Sequence, residues 1–118
     1  MDIVSINCPL TSETKGFMSK ERLDLMMPDS YIINSSRSEI IDEEALASLL
    51  LDSRIGGAGL DVFSRKRERN IKLLNAPNTI LIPHMGSATV EGRIEMGEKV
   101  IINIKTYIDG HNPPNRII

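Results

Sequence analysis

Short apolar runs alternate with segments of helical spacing along the 118 residues of the chain. Four of these runs predict strands: residues 3–7, 31–34, 55–63 and 79–82. The third contains three glycines, and the fourth, which has β-branched residues, is expected to be buried. The charged run at residues 65–69 is assigned to no element. Because helical stretches separate the strands, right-handed crossovers and a parallel sheet are expected. The pattern predicts an α/β fold.

Three helices are predicted from caps and apolar spacing. The first follows Ser19, whose hydroxyl can cap the early amides, and ends before Pro28. The second has Asp42 as its N-cap, and the third runs from near Thr89 to Gly110. One face of this last helix carries the apolar or small residues Val90, Ile94, Gly97, Ile101, Ile104 and Ile108.

The composition is that of one globular domain, with 41% apolar residues, 25% charged residues and a net charge of −2. With no basic excess and only two Tyr and two Phe, we expect no nucleic-acid partner. The single Cys8 excludes an intramolecular disulfide. His84 and His111 are too far apart in sequence to predict a metal site. Without a leader or an apolar run of about 18 residues, we expect a cytoplasmic protein that does not span a membrane.

Polar residues follow the predicted strands, where ligands bind in open α/β sheets. His84 comes after the fourth strand and Pro83, a position that suits a proton donor, although a turn His bonded to the backbone is the alternative. Arg37 follows the second strand. Its planar guanidinium suits a carboxylate ligand, and the alternative is a solvated loop arginine.

Two further candidates stand near strand ends. Asp61 lies in an apolar segment where an unpaired carboxylate would be costly, so it has either a structural N–H partner or a ligand amide or ribose. Cys8 and Pro9 end the first strand, and Cys8 is alternatively a small apolar residue. Four such positions converge at one edge if the strands are parallel.

The glycine-rich stretch at residues 56–59 does not predict a phosphate loop. A dinucleotide fingerprint needs glycines that follow a strand and open a helix, whereas these lead into an apolar strand. No Gly-x-Gly-x-x-Gly and no Gly-Lys-Ser/Thr motif occurs in the sequence. The glycines instead indicate close packing of the backbone.

The motifs together resemble those of the D-isomer-specific 2-hydroxyacid dehydrogenases, in the same order and over nearly the whole chain. The matching segments are Cys8-Pro-Leu-Thr-Ser-Glu-Thr14, Ile33-Asn-Ser-Ser-Arg37, Ile41-Asp-Glu-Glu-Ala-Leu46, Gly57-Ala-Gly-Leu-Asp-Val-Phe63 and Pro83-His-Met-Gly-Ser-Ala-Thr89. The region from Glu91 onward looks most like the glyoxylate/hydroxypyruvate reductase or glycerate dehydrogenase branch.

The resemblance implies hydride transfer between NAD or NADP and C2 of a small 2-oxo acid. It assigns the substrate carboxylate to Arg37, the proton of the new hydroxyl to His84 and the nicotinamide side to Asp61. The walls and backbone contacts of the cofactor site would come from Cys8, Pro9, Ser35, Ser36 and Gly86.

The chain departs from the family pattern in its extent. Its first residue stands just before the family's fourth cofactor-domain strand, so residues 1–110 are expected to form the carboxyl half of a doubly wound, Rossmann-type dinucleotide-binding domain. Residues 111–118 would be a tail that returns to the substrate domain. Without the phosphate loop, we expect weak or no cofactor binding and no activity by this chain alone. A non-catalytic folding or assembly module is the alternative.

Two local departures lie close to the expected catalytic residues. Lys66 stands where the family has the Glu that pairs with its catalytic His, and Ser38 replaces the usual Gly after Arg37. A carboxylate beside a His raises its pKa, whereas a nearby ammonium lowers it. We also expect a homo-oligomer, most simply a dimer, formed through the bare edge of residues 3–7 or through the last helix.

Overall fold

The computed structural model of the chain describes residues 2–64 and 67–117. In chain order the elements are β1 (Ile3–Ile6), α1 (Lys20–Leu23), β2 (Tyr31–Asn34), a 3-10 turn (Ser38–Ile40), α2 (Glu43–Leu51), β3 (Gly57–Leu60), α3 (Arg67–Asn75), β4 (Thr79–Leu81) and α4 (Val90–Ile108). The chain divides into two compact units, Met1–His84 and Met85–Ile118.

The first unit contains a four-stranded sheet in the order β1-β2-β3-β4, and every neighbouring pair is parallel. The predicted α/β class with a parallel sheet is therefore confirmed. The strands are in register at their ends, since Ile6 pairs with Asn34 and Asn34 with Leu60. Because the strands run the same way, their carboxyl ends lie at one edge of the sheet.

The hydrophobic core lies on one face of this sheet, where the side chains of α1, α2 and α3 pack. Side chains along β2 alternate as a strand requires, so Ile32 is fully buried while Ile33 remains 39% exposed. Helix α2 begins after Asp42, whose carboxylate accepts the Ala45 N–H at 3.1 Å, which confirms the predicted cap. The largest fully buried apolar side chains are Leu23, Ile32, Ile40, Leu46, Leu50, Leu60 and Leu73.

Two predicted strands are longer than the structure allows. The third spans only Gly57–Leu60 instead of residues 55–63. The fourth spans Thr79–Leu81 rather than residues 79–82, and the prediction that it is buried is wrong because Ile80 is 68% exposed. Ile80 is exposed because β4 is an edge strand and this side chain points away from the helices that cover the core. The β-branched composition of a strand does not indicate which of its faces is covered.

The first predicted helix is shorter than expected. Helix α1 begins after Ser19, but the Ser19 side chain makes no cap hydrogen bond, and the helix ends at Leu23. Helix α3 has no counterpart in the prediction. It lies in and beyond the charged run, and its Leu73 is fully buried against the core.

The second unit contains α4, which starts as predicted. The Thr89 hydroxyl accepts the Gly92 N–H at 3.0 Å, and Gly110 follows the helix with φ +81°. No residue of α4 is buried, and Ile101 and Ile108 are 66% and 76% exposed. In the part of the chain that the structure describes, no helix has the length and apolar character needed to cross a bilayer.

Candidate active site at the carboxyl edge of the sheet

A row of backbone hydrogen bonds continues the sheet beyond its strands and organises this edge. The Asp61 N–H donates to the Asn34 carbonyl at 2.9 Å, and the His84 N–H donates to the Asp61 carbonyl at 3.0 Å. Three loops that follow β2, β3 and β4 are thereby tied together. The distance between the end of β2 and His84 is therefore fixed by the backbone hydrogen bonds that extend the sheet.

Asn34 is a buried residue of this edge that was not singled out from the sequence, and neither was Glu39 in the loop that follows it. Asn34 is 1% exposed, and its Oδ1 accepts the Ser36 N–H at 3.0 Å while its Nδ2 donates to the Arg37 carbonyl at 2.9 Å. These bonds form an Asx-type turn that directs the chain from the strand to Arg37. The available signal was an Asn at the end of an apolar strand, directly before Ser-Ser-Arg.

His84 adopts a left-handed backbone conformation with φ +56°, which is uncommon outside glycine. Its N–H contacts the carbonyls of both Asp61 and Ile82 at 3.0 Å. The backbone of His84 is therefore fixed by hydrogen bonds, as the alternative of a turn His bonded to the backbone requires. The residue itself is exposed. A fixed backbone with an accessible imidazole is compatible with proton transfer.

A cavity of about 310 Å³ opens at this edge. It brings together Arg37, Asp61 and His84, three of the residues singled out from the sequence. Its size suits a small ligand rather than a whole dinucleotide. The described residues that line it are Arg37, Ser38, Glu39, Asp61, Val62, Phe63, Pro83 and His84.

The lining combines both signs of charge. Arg37 is exposed, and its Nη1 donates to the Ser36 carbonyl at 2.8 Å, while Asp61 is only 6% exposed. The pKa of Glu39 is lowered, first by its own backbone N–H and then by the Ser38 hydroxyl and the charges of Arg37 and Lys15. Glu39 is therefore ionised at neutral pH.

The other predicted site residues lie elsewhere. The Ser36 hydroxyl donates to the Cys8 carbonyl, and the Ser35 hydroxyl donates to Asn7 Oδ1 at 3.3 Å, so the ends of β1 and β2 are joined. Cys8, Pro9, Ser35 and Ser36 are not among the described residues that line the cavity.

Gly86 belongs to the unit Met85–Ile118, and Lys66 lies outside the described residues. Their assigned positions in the site therefore stay predictions. Among the described residues, no group of three or more His, Cys, Asp or Glu could hold a metal ion.

Comparison with known proteins identifies relatives of this chain. A family model described as "D-isomer specific 2-hydroxyacid dehydrogenase, NAD binding domain" matches residues 1–86. Hydroxyphenylpyruvate reductase of Plectranthus scutellarioides is 42% identical over 92% of this chain and 35% of its own length. Glyoxylate reductase of Thermococcus litoralis is 40% identical over 98% of this chain and 35% of its own length.

A solved structure agrees with the sequence comparison. The NAD-complexed D-isomer-specific 2-hydroxyacid dehydrogenase of Lactobacillus delbrueckii ssp. bulgaricus superimposes with a TM-score of 0.90 at 28% identity. The match covers 98% of this chain and 40% of that one. The chain thus spans about a third of the length of the curated relatives it matches.

Proposed function

Because the chain belongs to the D-isomer-specific 2-hydroxyacid dehydrogenase family, we propose that it carries the substrate-binding edge of a nicotinamide-dependent reductase. The substrate would be a small 2-oxo acid of the glyoxylate or hydroxypyruvate type, and the product a D-2-hydroxy acid. The observation that supports this most is that Arg37 and His84 line one cavity of about 310 Å³.

Three residues of the cavity, Arg37, His84 and Asp61, have a defined task in this proposal. The Arg37 guanidinium binds the substrate carboxylate through two parallel hydrogen bonds, which fixes the orientation of the carbonyl. His84 donates a proton to the carbonyl oxygen as that oxygen becomes a hydroxyl. Its backbone bonds to Asp61 and Ile82 hold it in place for this transfer. Asp61 provides a carboxyl group on the side where the nicotinamide amide would lie.

In this proposal the described residues would hold only the reactive end of a dinucleotide. The cavity is too small for the whole cofactor, and the first turns of α1, α2 and α4 carry Glu21, Glu43 with Glu44, and Glu91. These carboxylates oppose the binding of a pyrophosphate at those helix ends. A nicotinamide, when bound, supplies the hydride to C2 of the substrate.

We expect no detectable reduction of glyoxylate or hydroxypyruvate by this chain alone with NADH or NADPH. Lys66 in place of the Glu that pairs with the catalytic His would impair general acid–base assistance, which lowers a rate by about 10²–10⁴-fold and would leave residual activity. Weak or absent cofactor binding without a phosphate loop would remove the remainder. The assay follows absorbance at 340 nm, with calorimetric titration of NADH as the second readout.

The control in this assay is His84→Asn, which removes the imidazole and tolerates the left-handed backbone at this position. Turnover by the unmodified chain that disappears in this variant would contradict the expected inactivity and would show that the chain is an enzyme by itself. Turnover that persists in the variant would contradict the role of His84.

We also propose that the chain forms a homodimer through the open edge of β1. Ile3 is 62% exposed at that edge, and an uncovered apolar edge strand invites pairing with a second copy. Light scattering at micromolar concentration should therefore report a dimer. Ile3→Lys should shift it to a monomer, whereas Ile80→Lys on the opposite edge strand should not.

Two results would contradict this interface. A monomeric unmodified chain, with amides of residues 3–7 in fast hydrogen exchange, would exclude the dimer. A dimer that survives Ile3→Lys but dissociates in Ile104→Lys would place the interface on α4.

A further inference from the structure

Glu39 places a carboxylate beside Arg37 in the cavity that Asp61 also lines. It lies in the 3-10 turn Ser38–Ile40, immediately after the arginine. Its carbonyl accepts the Gly16 N–H at 2.8 Å, and the next carbonyl, that of Ile40, accepts the Met18 N–H at 2.9 Å. The turn is thus anchored to a neighbouring segment, so the backbone of Glu39 has a fixed position relative to the cavity.

The described lining of the cavity has two residues with carboxyl groups, Asp61 and Glu39, but only one with a permanent positive charge. Among its described lining residues, Arg37 is the only permanent cation, and in the proposed function it is paired with the substrate's own carboxylate. Lys15 is close enough to influence Glu39, but it is exposed and is not one of those lining residues. A strongly hydrated ammonium in such a position screens the Glu39 charge only partly.

We infer that Glu39 selects substrates by the charge they carry beyond the 2-oxo acid group. A second carboxylate on the substrate would meet Glu39 without a further cation of the lining to bind it. An ammonium or guanidinium group there would instead be attracted. This inference rests on the proposed function and adds a preference for 2-oxo acids with a cationic or uncharged substituent over dicarboxylic ones.

Three ligands of similar length test the preference by direct binding, without turnover. They are 5-guanidino-2-oxopentanoate, 2-oxohexanoate and 2-oxoadipate, which place a cation, no charge and an anion at the far end. Dissociation constants come from titrations of the ¹⁵N-labelled chain, followed at the amides of Arg37, Asp61 and His84. Proteins are the unmodified chain, Glu39→Gln, and Glu13→Gln as an exposed control outside the described cavity lining.

The unmodified chain should bind the guanidino acid about fivefold more tightly than 2-oxoadipate at low salt, as expected for partly screened charges. The ratio should fall to about one in Glu39→Gln and remain unchanged in Glu13→Gln. Raising the ionic strength should reduce it in the unmodified chain.

Failure of the charge preference and failure of the proposed function would give different results. If Glu39→Gln bound all three ligands and still preferred the guanidino acid over 2-oxoadipate by the same ratio as the unmodified chain, the inference would be overturned and the proposed function would stay intact. Failure of even 2-oxohexanoate to shift the amides of Arg37, Asp61 and His84 would overturn both.

Discussion

Gly57→Ala should lower the free energy of unfolding of the first unit by about 1–3 kcal/mol, as overpacking in a core does. A Cβ atom at this position would lie 2.5 Å from the Asn78 carbonyl oxygen and 3.2 Å from the Tyr31 ring. The contact with Asn78 cannot be relieved by a rotamer change, because the oxygen belongs to the backbone. Moving that carbonyl would break its bond with the Ala58 N–H, which is 3.0 Å long.

Urea unfolding followed by circular dichroism, with ¹H–¹⁵N spectra to observe each unit separately, measures this loss. Gly97→Ala is the control, since Gly97 is inside α4 and a Cβ added there would meet no described atom within 4 Å apart from the adjacent residues and the backbone of the helix itself. That variant should be unchanged or more stable by about 0.5–1 kcal/mol, because alanine favours a helix interior. A stability of Gly57→Ala within about 0.5 kcal/mol of the unmodified chain would contradict the packing described for β3.

The glycine-rich stretch at residues 56–59 illustrates what could be predicted from the sequence. Glycines that lead into an apolar strand without opening a helix indicated close backbone packing, and the lack of room for a Cβ atom between Gly57 and the Asn78 carbonyl confirms it. The parallel sheet followed from strands separated by helical stretches. Once the strands were parallel, Arg37, Asp61 and His84 had to lie at one edge, and the structure places all three on one cavity.

Other features depend on partners that are distant in the sequence. Helix α3 was missed because its first residues are charged, and the burial of Leu73 depends on α2, which lies more than 20 residues earlier. The importance of Asn34 comes from its turn bonds and from its backbone pairing with Asp61, which only the assembled sheet reveals. Ile80 shows the reverse case, since a strand-like sequence does not indicate which face remains uncovered.

Arg37→Gln should weaken binding of oxamate, an unreactive analogue of a 2-oxo acid, by at least about tenfold, because it removes charge-assisted hydrogen bonds to the carboxylate. Arg37→Lys should be intermediate, since it retains the charge but not the planar pair of donors. The fold should be unaffected by either change, because Arg37 is exposed and, within the described part of the chain, its guanidinium donates to the carbonyl of the adjacent Ser36 at 2.8 Å. Arg54→Gln is the control, because Arg54 pairs with Asp24 at 3.2 Å and is not among the described residues lining the cavity.

The most direct test of the candidate site is a titration of the ¹⁵N-labelled chain with oxamate, compared among the unmodified protein, Arg37→Gln and Arg54→Gln. We expect saturable shifts at the amides of Arg37, Asp61 and His84, with an affinity for oxamate that Arg37→Gln lowers by at least about tenfold and Arg54→Gln leaves unchanged. Saturable binding with equal affinity in all three proteins, or shifts confined to residues outside the cavity, would show that this edge of the sheet does not bind 2-oxo acids.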